Sequence, residues 1–130
     1  MHSEQNPKLL SPLTLAYIGD AVFELMVRDH IVKKGNAPVN KLHHLTVQRV
    51  CAAAQQQASE LLMPILTEEE TAIFRRGRNA HSHPPKNADP AAYRSATGFE
   101  ALFGYLYLSG EHERLNTLFT LVWESQSDKL

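Results

Sequence analysis

A single cysteine, Cys51, excludes an intrachain disulfide and any cysteine cage for zinc. Long apolar runs are missing too: none approaches the roughly 18 to 20 residues that a membrane span needs, so no membrane segment is expected. Neither charge sign is in excess. Thirteen Lys and Arg stand against fourteen Asp and Glu, a formal net charge of −1. Any polyanionic partner must therefore be held by a local basic patch rather than by the field of the whole molecule. The opening MHSEQNPKLL has no positive start followed by an apolar stretch, which predicts a cytoplasmic protein. Alternating strand patterns, internal repeats and low-complexity tracts are absent, which leaves an all-α class.

What is present reads as helices in one domain. A length of 130 residues suits a single core over 1–130, with frayed ends at about 1–8 and 126–130. Apolar residues at 43% and charged residues at 21% match the soluble globular average and argue against disorder. Ser11-Pro12 is an N-cap followed by a proline at the first helical position, and the helix it opens should stop at Lys33-Lys34-Gly35. A second helix is expected from Val39, running or breaking towards Leu62 before Pro64. Thr67-Glu68-Glu69-Glu70 is a capping-box sequence opening a short helix through Ile73 and Phe74. Gly77 to Asp89 reads as a loop. Asp89-Pro90 repeats the cap-plus-proline start of a long helix to about Ser109-Gly110, and an amphipathic helix from Glu111 to about Glu124 ends the series.

Two acids interrupt two otherwise apolar helices. In LAYIGDAVFELMV, Asp20 follows Gly19 in a segment apolar nearly all round, so this helix should be central and Asp20 substantially buried. ATGFEALFGYLYL repeats the pattern with Glu100 between Gly98 and Gly104. A buried carboxylate needs a cation, a metal or a proton, and an arginine such as Arg94 could satisfy one of them. Interior helix glycines cost about 1 kcal/mol each relative to alanine, and their use here would be close helix approach, bringing the acids together. Two carboxylates suit Mg²⁺, which keeps several waters and takes few protein ligands.

Phe74 to Asn87 holds Arg75, Arg76, Arg78, Lys86, His81 and His83 within fourteen positions, the most basic part of the chain. Arginines on a glycine-broken loop can fork onto phosphate oxygens. His81-Ser82-His83 lacks an evident third ligand for zinc, and His43-His44 reads as one exposed and one half-buried histidine.

These residues carry a resemblance. LAYIGDAVFEL resembles the signature helix of ribonuclease III domains, and SATGFEALFGYLYL resembles that family's second signature. With RRGRNA, PKN and YRSATGFEAL, the likeness covers nearly the whole chain and is nearest to the short bacterial form of the family, which lacks a double-stranded RNA-binding domain. It implies a homodimeric helical endonuclease bundle that uses Mg²⁺ to cleave double-stranded RNA to 5′-phosphate and 3′-hydroxyl ends, its substrate being the paired stalk of precursor 23S ribosomal RNA. By position, Asp20 and Glu100 match the metal-binding acids, and Tyr17 matches the aromatic that inserts into the partner subunit. Arg75, Arg76, Arg78, Lys86 and Arg94 are the residues expected to position the RNA backbone. Two positions depart from full-length members, Ala16 and Thr97, each standing where an acid occurs. Glu24 is a candidate compensating acid. Those departures motivate an alternative, a non-catalytic RNA-binding or ribosome-assembly module on the same fold; a helical dimerisation domain without a nucleic-acid role is the third reading.

Overall fold

The computed structural model describes residues 6–126. Among them are six α-helices and no strand: α1 Pro12–Val32, α2 Val39–Val50, α3 Ala52–Leu62, α4 Glu68–Arg78, α5 Pro90–Leu108 and α6 His112–Gln126, with 3-10 turns at Pro7–Leu9 and Met63–Ile65. The sequence-predicted caps are in place. Ser11 Oγ accepts from the backbone N–H groups of Leu13 and Thr14 at 3.1 and 3.4 Å, and the Asp89 carboxylate accepts from that of Ala91 at 3.2 Å. Thr67 and Glu70 close both halves of a capping box, which satisfies backbone donors that the first turn of α4 would otherwise leave unpaired. No helix among the described residues is long and apolar enough to cross a membrane.

The central helix is α5. Every residue from Ala96 to Leu106 is buried except Glu100. Phe23 of α1 meets Phe99 and Phe103 of α5 and Phe119 of α6 edge-on, with ring centroids 4.9, 5.4 and 5.8 Å apart, an arrangement that puts positive ring edges against negative faces. α1 is not central, contrary to expectation. Its buried residues Leu15, Ala16, Gly19, Phe23, Val27 and Ile31 follow a three-and-four spacing along one side, while Tyr17, Asp20, Ala21, Leu25 and Arg28 on the other face solvent.

α1 and α5 cross with backbone against backbone. A Cβ built on Gly19 would stand 1.6 Å from the Glu100 carbonyl oxygen, and one built on Gly104 would stand 1.9 Å from that of Leu15. Only glycine permits this approach at either position. A second tight contact presses α4 onto the same part of α5, where a Cβ on Gly77 would lie 2.8 Å from the Ala101 Cβ and 2.9 Å from the Gly98 Cα.

Several boundaries differ from the sequence reading. The segment from Val39 breaks at Cys51, whose extended backbone (φ −66°, ψ 159°) separates α2 from α3. α4 continues through Gly77 to Arg78, because Gly77 serves packing and its three arginines occupy a last turn where the helix dipole favours cations. His43 and His44 are both exposed. Gln126, assigned to a frayed tail, is buried and donates to the Ala54 carbonyl at 3.0 Å. Near the start, Arg76 donates to the carbonyls of Lys8 and Leu10 at 3.1 and 3.0 Å, and Lys8 pairs with Glu69, so Lys8, assigned to a frayed end, is tied to α4. The remaining expectations of fraying, for 1–5 and 127–130, lie outside the described residues.

Candidate active site

The glycine crossing sets the site. Because α1 and α5 touch at Gly19 and Gly104, the neighbouring acids Asp20 and Glu100 project from adjoining helix surfaces and meet. The Glu100 carboxyl is pushed up to about 8: burial disfavours its charge, the adjacent Asp20 carboxylate repels it, and a hydrogen bond shared with Asp20 favours its proton. One contact opposes these effects. Gln55 Nε2 donates to Glu100 Oε2 at 3.3 Å, which favours the ionised form.

Asp20 itself is exposed in the single protomer, which corrects the expectation of a buried acid. The aspartate occupies the outward side of α1, and the apolar residues that disguised this side, Tyr17 and Leu25, are 79% and 68% exposed. Arg94 does not pair with it; ion pairs among the described residues include Lys8–Glu69, Arg28–Glu24, Lys33–Asp29 and Arg114–Glu70. Glu24 is therefore engaged by Arg28 at 2.5 Å rather than turned to the acid pair. Ala16, 6% exposed, belongs to the core, and the hydroxyl of Thr97, 8% exposed, donates to the Tyr93 carbonyl at 3.0 Å. Neither of these two positions adds an acid to the pair.

Two carboxylates this close are compatible with a shared proton or with a cation between them. The donor set is all hard oxygen. Among the described residues no three His, Cys, Asp or Glu side chains gather at one place, so a zinc cage is not offered, whereas a hydrated Mg²⁺-like ion needs only one or two carboxylates. The residues thus fit a divalent cation. Without one, the raised Glu100 makes folding proton-coupled. A carboxyl raised in the folded state contributes stability that is fully present below its unfolded value of about 4.5 and is lost as pH climbs towards about 8. In chelator, the thermal midpoint should fall across that window, and Glu100→Gln should flatten the fall; equal slopes in the two proteins would mean that Glu100 does not titrate as described.

The basic residues divide by position. Arg75, Arg76 and Arg78 lie in the last turn of α4 and not on a loop. Arg75 is exposed, Arg76 is committed to the Lys8 and Leu10 carbonyls, and Arg78 lies over the Phe74 ring at 5.8 Å. Lys86 is exposed on the connection to α5, as are His81 and His83, and Arg94 is exposed near the start of α5. The Gly77 contact sets this basic turn against the 97–101 stretch of α5 that carries Glu100.

The model of the ribonuclease III domain matches residues 13–111, a span that includes both acids, the glycine crossing and the basic turn. The chain belongs to the ribonuclease III family. It is 54% identical over 112 residues to the mini-ribonuclease 3 of Symbiobacterium thermophilum, covering 85% of this chain and 86% of that protein. The mini-ribonuclease 3 of Clostridium tetani is 48% identical over 122 residues, covering 92% and 81%. A crystal structure of a Fusobacterium nucleatum protein has the same fold, with a TM-score of 0.85 at 26% identity over 93% of this chain and 99% of that one. Members of the ribonuclease III family are endoribonucleases that act on double-stranded RNA and generally use a divalent metal ion, and this chain is an endoribonuclease.

One residue at this ribonuclease III site escaped the sequence reading. Gln55 is 2% exposed and touches Glu100 directly. It is one of three consecutive glutamines, and only its register distinguishes it: Gln55, Ala58, Ser59 and Leu62 share the buried stripe of α3.

Proposed function

We propose that this protein is an Mg²⁺-dependent endoribonuclease whose ion is held by Asp20 and Glu100 and whose substrate is the paired stalk of precursor 23S ribosomal RNA, in the cytoplasm. The observation that carries the reading is the meeting of those two carboxylates at the Gly19–Gly104 crossing. A divalent ion there would neutralise charge developing on phosphate oxygens and lower the pKa of water, leaving 5′-phosphate and 3′-hydroxyl ends. The side chains of the chain itself hold and orient. Arg75, Arg78, Lys86 and Arg94 present charge to the phosphate backbone, while Arg76 braces the basic turn against the N-terminal segment.

The active form is proposed to be a homodimer. Tyr17 stands out from α1 on the side that carries Asp20. On the same protomer, Ile18, Val22, Leu25, Met26, Tyr107 and Leu115 help to line an apolar groove of about 400 Å³. A two-fold pairing would let one patch serve both subunits and bring two sites to the two strands of one duplex. The non-catalytic alternative raised by Ala16 and Thr97 does not stand for an endoribonuclease; with no acid at either position, two carboxylates alone would hold the ion.

The test is a defined RNA duplex incubated with the protein in Mg²⁺ or in chelator. Cleavage in Mg²⁺ and binding without cleavage in chelator are expected; cleavage that persists in chelator, or binding without cleavage in both, would overturn the proposed Mg²⁺ dependence. Neutralising Arg75, Arg78 and Lys86 should flatten the salt dependence of that binding, and an unchanged slope would remove them from the interface.

A further inference from the structure

Gln55 has a half-finished set of hydrogen bonds beside the acid pair. Its side chain reaches from α3 to two acceptors at once: Nε2 donates to the Val50 carbonyl at 3.0 Å and to Glu100 Oε2 at 3.3 Å. The Val50 carbonyl can only accept, so the edge of the amide that faces it is the NH₂ and not the oxygen. This assignment leaves Oε1 buried and without a hydrogen-bond partner among the described residues. A buried amide oxygen with no donor costs roughly 1–3 kcal/mol, and such a group in a folded protein calls for an explanation.

Local structure explains half of the arrangement. The break at Cys51 ends α2, and Gln55, which follows it on α3, covers the Val50 carbonyl. A serine or a water could do as much for that carbonyl. It does not explain why a side chain long enough to continue to Glu100 is placed there, nor why its oxygen is left over.

We propose that Gln55 is a positioning residue for the metal site, fixing the ligand geometry of Glu100 through Nε2 and offering Oε1 to the O–H donors that a hydrated divalent cation brings with it. The inference rests on the reading of Asp20 and Glu100 as the ligands. It adds a third oxygen-bearing side chain to a site where positions 16 and 97 supply no acid. A neutral amide suits that position, because a third carboxylate would add to the repulsion already present between Asp20 and Glu100. Groups that orient metal ligands typically change metal affinity or activity by about 10–100-fold when removed.

The experiment compares the parent chain with Gln55→Leu and Gln55→Glu. Calorimetric titration of Mn²⁺ or Mg²⁺ should show at least about tenfold weaker binding for Gln55→Leu. The Mg²⁺ concentration for half-maximal cleavage should rise by the same factor, much of the rate should return at saturating Mg²⁺, and duplex binding in chelator should not change. A purely structural glutamine would lower stability without moving the metal dependence, and that result would overturn the proposal. Gln55→Glu keeps the shape and provides the check should the leucine variant fail to fold: it should melt earlier than the parent in chelator and gain more from added Mg²⁺. An equal or smaller gain would also overturn the proposal. If the parent chain itself bound no divalent ion, the ligand assignment would fail first, so the two failures are distinguishable.

Discussion

In Mg²⁺, the Glu100→Gln chain should cut a defined RNA duplex at least about 10³-fold more slowly than the parent chain while binding that duplex in chelator about as well. Hydrolysis builds negative charge on phosphate oxygens, and a cation at the site stabilises that charge by several kcal/mol. Each 1.4 kcal/mol is about tenfold in rate, so losing roughly 4 kcal/mol accounts for the expected drop. Glutamine keeps the volume of the side chain and its reach towards Asp20 and Gln55, so the crossing of α1 and α5 should survive. Asp20→Asn should behave alike. A rate near that of the parent for either variant would show that the ion is held elsewhere.

Gly19→Ala and Gly104→Ala should each destabilise the fold by about 3 kcal/mol or more, at the upper end of what overpacking costs. The sign is informative. At an exposed helix position the same change would stabilise by up to about 1 kcal/mol, since alanine is the better helix former. Here the added methyl group meets the backbone carbonyls of Glu100 and Leu15, 1.6 and 1.9 Å away, and backbone cannot swing aside as a flexible side chain would. Denaturant unfolding in chelator measures the effect without involving the metal. A variant as stable as the parent would mean that the two helices do not approach this closely.

These glycines were also the most legible feature of the sequence. A glycine inside an apolar helix is a local cost, and Gly19 and Gly104 point to their compensation, a crossing that joins Asp20 to Glu100. The starts of α1 and α5, each a capping side chain followed by a proline at the first helical position, and the Thr67–Glu70 box were legible for a similar reason, because caps act through residues two or three apart. The position of Asp20 was not. Two apolar surfaces on one helix, one facing the core through Leu15, Phe23 and Val27 and one facing out through Tyr17 and Leu25, look from sequence alone like a helix buried on all sides. The end of α4 was hidden by Gly77, which reads as a helix stop and instead admits Gly98. Nothing at Cys51 announces the break between α2 and α3, since neither proline nor glycine marks it. Gln55 was obscured by two identical neighbours, and its importance comes from a partner 45 positions away.

The central claim is that Asp20 and Glu100 together hold one divalent ion. Crystals of the protein soaked in Mn²⁺ and measured at the manganese absorption edge test it most directly. An anomalous peak between the two carboxylates, lost in crystals of Glu100→Gln, is the predicted result. A peak that persists in that variant, or that lies away from both acids in the parent protein, would contradict it.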